Sequence, residues 1–259
     1  MESKRHNTHL KENFGLGRVL AEQGRWTPIN VMGLLMILFI VALFAGAIVL
    51  TRPAELGLQA VFAAAIVGFT CYAGFLVYHC LQSLQVCEYG VISNGFPLRF
   101  DEISSFALRV DHQRAHKVIY ISTTSYLTIV PSSSTRRKIT FRWVSTKREE
   151  PGLKEFTERL TRYLTQEILE TVCSGDRFDW SSSIALMGNC VRVTRRYDVP
   201  IELPYDQISL WMNENDGNPT AFIRERKTQR EVARIEGDSL NYYPGFTALR
   251  LLIEATNRR

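Results

Sequence analysis

The signatures that would announce an enzyme are missing from this chain. The serine runs at 132–134 and 181–183 lack a G-x-S-x-G context, which argues against a hydrolase-type nucleophile. There is no Walker A sequence, no glycine-rich phosphate loop and no zinc signature. The five cysteines, Cys71, Cys80, Cys87, Cys173 and Cys190, contain no C-x-x-C pair. An odd, scattered set reads as free buried thiols and excludes a disulfide framework or a zinc site. The net charge of +5 is too small for a nucleic-acid footprint. His112 and His116 stand four apart, but they fall between expected strands without a further ligand, so a solvated turn is expected there. Asp176 and Asp179 beside Trp180 read as polar turn residues. The chain is therefore read as non-enzymatic, with no cofactor, no metal and no nucleic-acid partner.

Charge is also absent from two long runs near the N-terminus. VMGLLMILFIVALFAGAIVL covers 31–50, and GLQAVFAAAIVGFTCYAGFLVY covers 57–78. A helix rises about 1.5 Å per residue, so either run has the length to cross a hydrocarbon core of roughly 30 Å. The expectation is a transmembrane helical hairpin within residues 30–80, with helices at about 31–50 and 57–79. The link between the runs holds Arg52, Pro53 and Glu55, which resist entering lipid or continuing a helix. Lys4, Arg5, Lys11, Arg18 and Arg25 precede the first run. By the positive-inside rule, residues 1–29 form a cytoplasmic segment and both termini are cytoplasmic. The expected location is thus integral to a membrane, with the lipid bilayer as a partner.

From residue 81 onward the pattern changes to strands. Asn94-Gly95 marks a hairpin turn, because both residues tolerate positive φ. KVIYIST at 117–123, YLTIVPS at 126–132 and KITFRWV at 138–144 read as strands. After Pro151-Gly152, Leu153, Phe156, Leu160, Tyr163, Leu164 and Ile168 recur at helical spacing. The pattern then restarts. Strands are expected at 178–186, 189–194, 199–203, through Trp211, at 220–225 and at 230–235. Pro244-Gly245 opens a last helix carrying Phe246, Leu249, Leu252 and Ile253. Tyr205-Asp206-Gln207-Ile208-Ser209 echoes Phe100-Asp101-Glu102-Ile103-Ser104. The fold class is α+β, with an internal repeat of residues 81–172 and 173–259. Each half is a bent antiparallel sheet or barrel capped by a C-terminal helix.

These features carry a resemblance. "YGVIS…LRFDEIS" in the first half, "CVRVTRR…IELPYDQIS" in the second, and the two helices opened by Pro-Gly resemble tandem bacterial pleckstrin-homology-like (PH-like) domains. The arrangement behind an apolar hairpin is similar to that of uncharacterised bacterial membrane proteins of the inner (plasma) membrane. The resemblance implies a membrane-anchored interaction or scaffold protein with an unidentified protein partner. The alternative is recognition of anionic lipid headgroups by basic clusters. Arg136, Arg137, Lys138 and Arg142 form one such cluster, and Arg192, Arg195 and Arg196 the other. All seven are candidate lipid or partner contacts.

Overall fold

A short strand precedes the apolar helices. β1 (Val19–Gln23) is followed by α1 (Pro28–Leu50) and α2 (Leu56–Leu81), and only then by β2 (Leu84–Cys87), β3 (Gly90–Ser93) and β4 (Phe96–Arg99). The computed structural model describes residues 15–23, 28–50, 56–81, 83–115, 119–145, 149–194, 199–215 and 218–258. Among these it is α+β, with four helices and four antiparallel sheets. The first sheet has the order β1-β2-β3-β4. The Glu88 N–H donates to Arg18 O, and the Tyr89 N–H to Leu16 O, both at 3.1 Å.

The chain forms two compact units. One comprises Glu22–Gln85 with Ile92–Phe96, and the other comprises the residues up to Ala21, Val86–Val91 and Pro97–Arg259. In the smaller unit α1 pairs with α2, and Phe44 lies 5.7 Å from Phe62 and 6.0 Å from Phe69 by ring centroids. Asn94 and Gly95 both take positive φ, as the hairpin turn requires.

The membrane hairpin expected from the sequence is corrected here. Among the described residues no helix is long and apolar enough to cross a membrane. The transmembrane assignment falls, and with it the inner-membrane location and the cytoplasmic placement of both termini, which rested on it. The expected link between the helices lies outside the described residues.

Along the chain the same order of elements occurs twice. A 3₁₀ turn at Phe100–Glu102 leads into β5 (Ile103–Ala115), β6 (Ile119–Pro131) and β7 (Ile139–Ser145), a three-stranded sheet closed by α3 (Pro151–Cys173). The second half begins with β8 (Phe178–Ser181), β9 (Ile184–Leu186), β10 (Cys190–Val193) and β11 (Ile201–Pro204) in the order β11-β10-β9-β8. A 3₁₀ turn at Tyr205–Gln207 follows, then β12 (Ile208–Asn215), β13 (Asn218–Glu225), β14 (Glu231–Glu236) and α4 (Tyr242–Asn257). Set beside this, the first half is a four-stranded sheet, a 3₁₀ turn, a three-stranded sheet and a helix, with α1 and α2 inserted after its first strand.

The echo between Phe100-Asp101-Glu102-Ile103 and Tyr205-Asp206-Gln207-Ile208 has a physical basis. In each half the aromatic residue and the isoleucine are buried, and the polar pair between them turns outward. Phe100 packs near Phe156 of α3, with ring centroids 5.7 Å apart. The Tyr205 hydroxyl donates to Met187 O. On α3 the buried Leu153, Phe156, Leu160, Leu164, Ile168 and Val172 hold helical spacing, and Ile168 and Val172 join the core of the second half.

The Pro-Gly pairs are explained by close approach. A side chain on Gly152 would collide with the backbone of Leu20 in β1, and one on Gly245 with the Trp180 indole in β8. Each C-terminal helix therefore starts hard against the first strand of its own half. Proline suits this position because a helix's first N–H groups need no intrahelical partner.

Several local expectations are revised. The described residues of the expected strands at 117–123 and 126–132, up to Pro131, fall on one strand, β6 (Ile119–Pro131), and the expected strand at 178–186 is two, turned at Ser182-Ser183. Asp111 to Ala115 continue β5 rather than forming a turn. Of the cysteines, Cys87 and Cys190 are buried, but Cys71 and Cys173 are exposed.

Candidate functional site

The two halves of the larger unit meet along the outer edge of β5. In an antiparallel ladder, alternate residues turn both backbone groups toward the same edge. β5 is an edge strand, so Phe106, Leu108 and Val110 face away from β6. Two asparagines of the second half cover that edge. The Asn241 N–H donates to Phe106 O at 2.7 Å, and Asn241 Oδ1 accepts from the Phe106 N–H at 3.3 Å. Asn218 Oδ1 accepts from the Val110 N–H at 3.2 Å. Asn241 holds a left-handed backbone, φ 56° and ψ 23°, and its carbonyl accepts from the Trp180 indole N–H at 2.9 Å. Leu108 lies between the two covered positions. Among the described residues, no hydrogen bond joins its backbone to the second half.

Beside this seam lies an open groove of about 1190 Å³. Leu108, Val110 and His112, alternate residues of β5, line one part of it. One face of α3 lines another, from Leu153 through Thr157 and Thr161 to Thr165. Tyr243, Phe246 and Leu251 of α4 add apolar surface. Thr165 Oγ1 donates to Pro244 O at 3.4 Å, joining α3 to the start of α4. Tyr243 stacks on Phe106 with centroids 6.4 Å apart and planes 10° from parallel.

The groove carries charge of both signs. The Lys154 ammonium donates to Glu149 at 3.0 Å, which holds its pKa above the ordinary lysine value. Ser145 Oγ donates to Glu150 at 3.4 Å, and Arg250 lies 3.8 Å from Glu254. Glu158 and Arg162 also line the groove, one helical turn apart and exposed. Among the described residues neither has an ion-pair partner. His112 is half-buried, and its Nδ1 lies 3.0 Å from Thr123 Oγ1, so it is a strand residue rather than part of a solvated turn. His116 lies outside the described residues.

Among the described residues, two members of the basic clusters face carboxylates. Arg136 is tied to Glu102 at 3.0 Å, and Arg192 stands 3.9 Å from Glu202, opposite it in the β10–β11 ladder. Arg195 and Arg196 lie outside the described residues. Arg137, Lys138 and Arg142 are exposed, and among the described residues no carboxylate lies within ion-pair distance of them. None of the five described ones, Arg136, Arg137, Lys138, Arg142 and Arg192, lines the groove.

Sequence reasoning missed the groove. The available signal was a row of threonines at i, i+4 and i+8 of α3, on a face continuous with apolar Leu153. No protein-family model matches the chain, and no curated protein or solved structure matches it.

Proposed function

We propose that the chain is a non-enzymatic interaction module built from two PH-like repeats, and that the groove at their seam holds a partner protein. One observation carries this reading: the walls of the groove come from both halves, β5 and α3 of the first and α4 of the second. The succession of sheet, 3₁₀ turn, sheet and helix in each half supports the PH-like description. Mixed charge around apolar lining suits a protein surface, where apolar burial supplies affinity and polar groups set orientation.

Site-specific photo-crosslinking in cells tests this. p-Benzoylphenylalanine at Thr161 is expected to trap a discrete partner, and the same group at exposed Arg234, outside the groove, is not. Equal adducts at both positions, or none at Thr161, would contradict the reading.

A second reading, binding of anionic headgroups, is favoured by one observation: the exposed Arg137, Lys138 and Arg142 have no carboxylate within ion-pair distance among the described residues. Cosedimentation of the full chain with anionic vesicles should then weaken with added salt and in the triple alanine variant. Binding that ignores both would remove this reading.

A further inference from the structure

We propose that the groove receives an amphipathic α-helix of the partner protein, bearing a basic residue opposite Glu158 and an acidic residue one turn further on, opposite Arg162. This rests on the reading of the groove as the interaction site and adds the partner's chemistry.

Three observations converge. The first is shape. The lining face of α3 from Leu153 to Thr165 runs about 18 Å, a little over three turns. A volume of about 1190 Å³, with buried Leu153, Thr157 and Thr165 along its floor and exposed Lys154, Glu158, Arg162 and Leu251 at its rim, exceeds the usual range for an enclosed small-molecule pocket, roughly 300–1,000 Å³. The second is lining. Thr157, Thr161 and Thr165 are short side chains on one face of α3, opposite larger apolar ones from α4 such as Phe246 and Leu251. A helix laid between them would place its i, i+3, i+4 and i+7 side chains against Leu108, Val110 and Phe246, the helix-in-groove mode of recognition. The third is charge. Lys154 is satisfied by Glu149, and Arg250 has Glu254, whereas Glu158 and Arg162 have no ion-pair partner among the described residues. Opposite charges spaced four residues apart complement the same spacing on a helix laid alongside, with the signs reversed. An extended strand fits less well, because Asn241 and Asn218 already cover the β5 edge on either side of Leu108.

The probe is a fluorescein-labelled designed peptide of about 18 residues, long enough to be helical alone. It carries leucines at i, i+3, i+4 and i+7, flanked by a lysine and, four residues on, a glutamate. Fluorescence anisotropy against the full chain should show saturable binding, weakened at least tenfold by Thr161→Trp, which fills the groove. A paired variant, Glu158→Lys with Arg162→Glu, changes only exposed side chains. It should prefer a peptide with the lysine and glutamate exchanged. The proposal is overturned if neither peptide binds, if the paired variant shows no change of preference, or if a proline-interrupted peptide of the same composition binds equally well. Partner adducts at Thr161 together with a failed peptide would retain the groove as an interaction site and reject the helix.

Discussion

Asn241 and Phe106, 135 positions apart, exchange two hydrogen bonds as though they were neighbours in a sheet. The Asn241 side chain stands in for the backbone carbonyl of a strand that is not there. Its Nδ2 also donates to Ser104 O at 3.4 Å. A single residue thus covers the edge of β5 at Phe106 and joins the second half to the first.

Replacing Asn241 with alanine should therefore be costly. It leaves the buried Phe106 N–H without its acceptor and places an ordinary side chain in a left-handed conformation. Together these should cost roughly 2–4 kcal/mol. Asn241→Gly removes the same hydrogen bonds without the backbone strain, and should lose less. Urea denaturation of the two variants checks the order. Equal losses would remove the backbone contribution.

The helix starts make a sharper steric prediction. Gly245→Ala drives a methyl group into the Trp180 indole, whose N–H is committed to Asn241 O. Overpacking of this kind costs about 1–3 kcal/mol. Near-ultraviolet circular dichroism should report the disturbed tryptophan. Ala at Gly175, a positive-φ position with open space around it, should disturb no such packing.

Tyr205 predicts a pH dependence. Burial pushes its phenol well above the ordinary value near 10, and Tyr163 is pushed up to about 12 by burial and by its bond to Glu167. Both folded values are raised, so their contribution is complete below the unfolded pKa and is lost as pH rises past it. The urea midpoint should fall above about pH 10, and less steeply in Tyr205→Phe. That variant should also lose about 1–2 kcal/mol at neutral pH, because Met187 O loses its donor. A wild-type midpoint flat from pH 9 to 11 would contradict the assignment.

Much of the chain after residue 81 was legible because its signals are local. Asn94-Gly95 announced a turn, Pro151-Gly152 and Pro244-Gly245 announced helix starts, and the aromatic-Asp-x-Ile step marked the same corner twice. β1 was not legible. Its five residues join a strand about sixty positions away, beyond two apolar helices, and no turn residue links them. His112 was misplaced because Asp111-His112-Gln113-Arg114 is polar throughout, although it continues β5. The apolar runs do form helices, but run length alone was an insufficient warrant for a membrane crossing. Of the basic residues, Arg136 pairs with Glu102 and Arg192 approaches Glu202 across a strand pair, contacts that depend on the folded sheet. The groove was invisible because its walls meet only when the two halves do.

That meeting is the central claim, and amide hydrogen exchange along β5 tests it most directly. The Phe106 and Val110 amides should be protected, because Asn241 and Asn218 hold them, while the Leu108 amide between them exchanges faster. Asn241→Ala should release Phe106 and leave the core amides of β6 slow. Exchange at Phe106 and Val110 as fast as at an open sheet edge would contradict the joining of the two halves, and with it the groove.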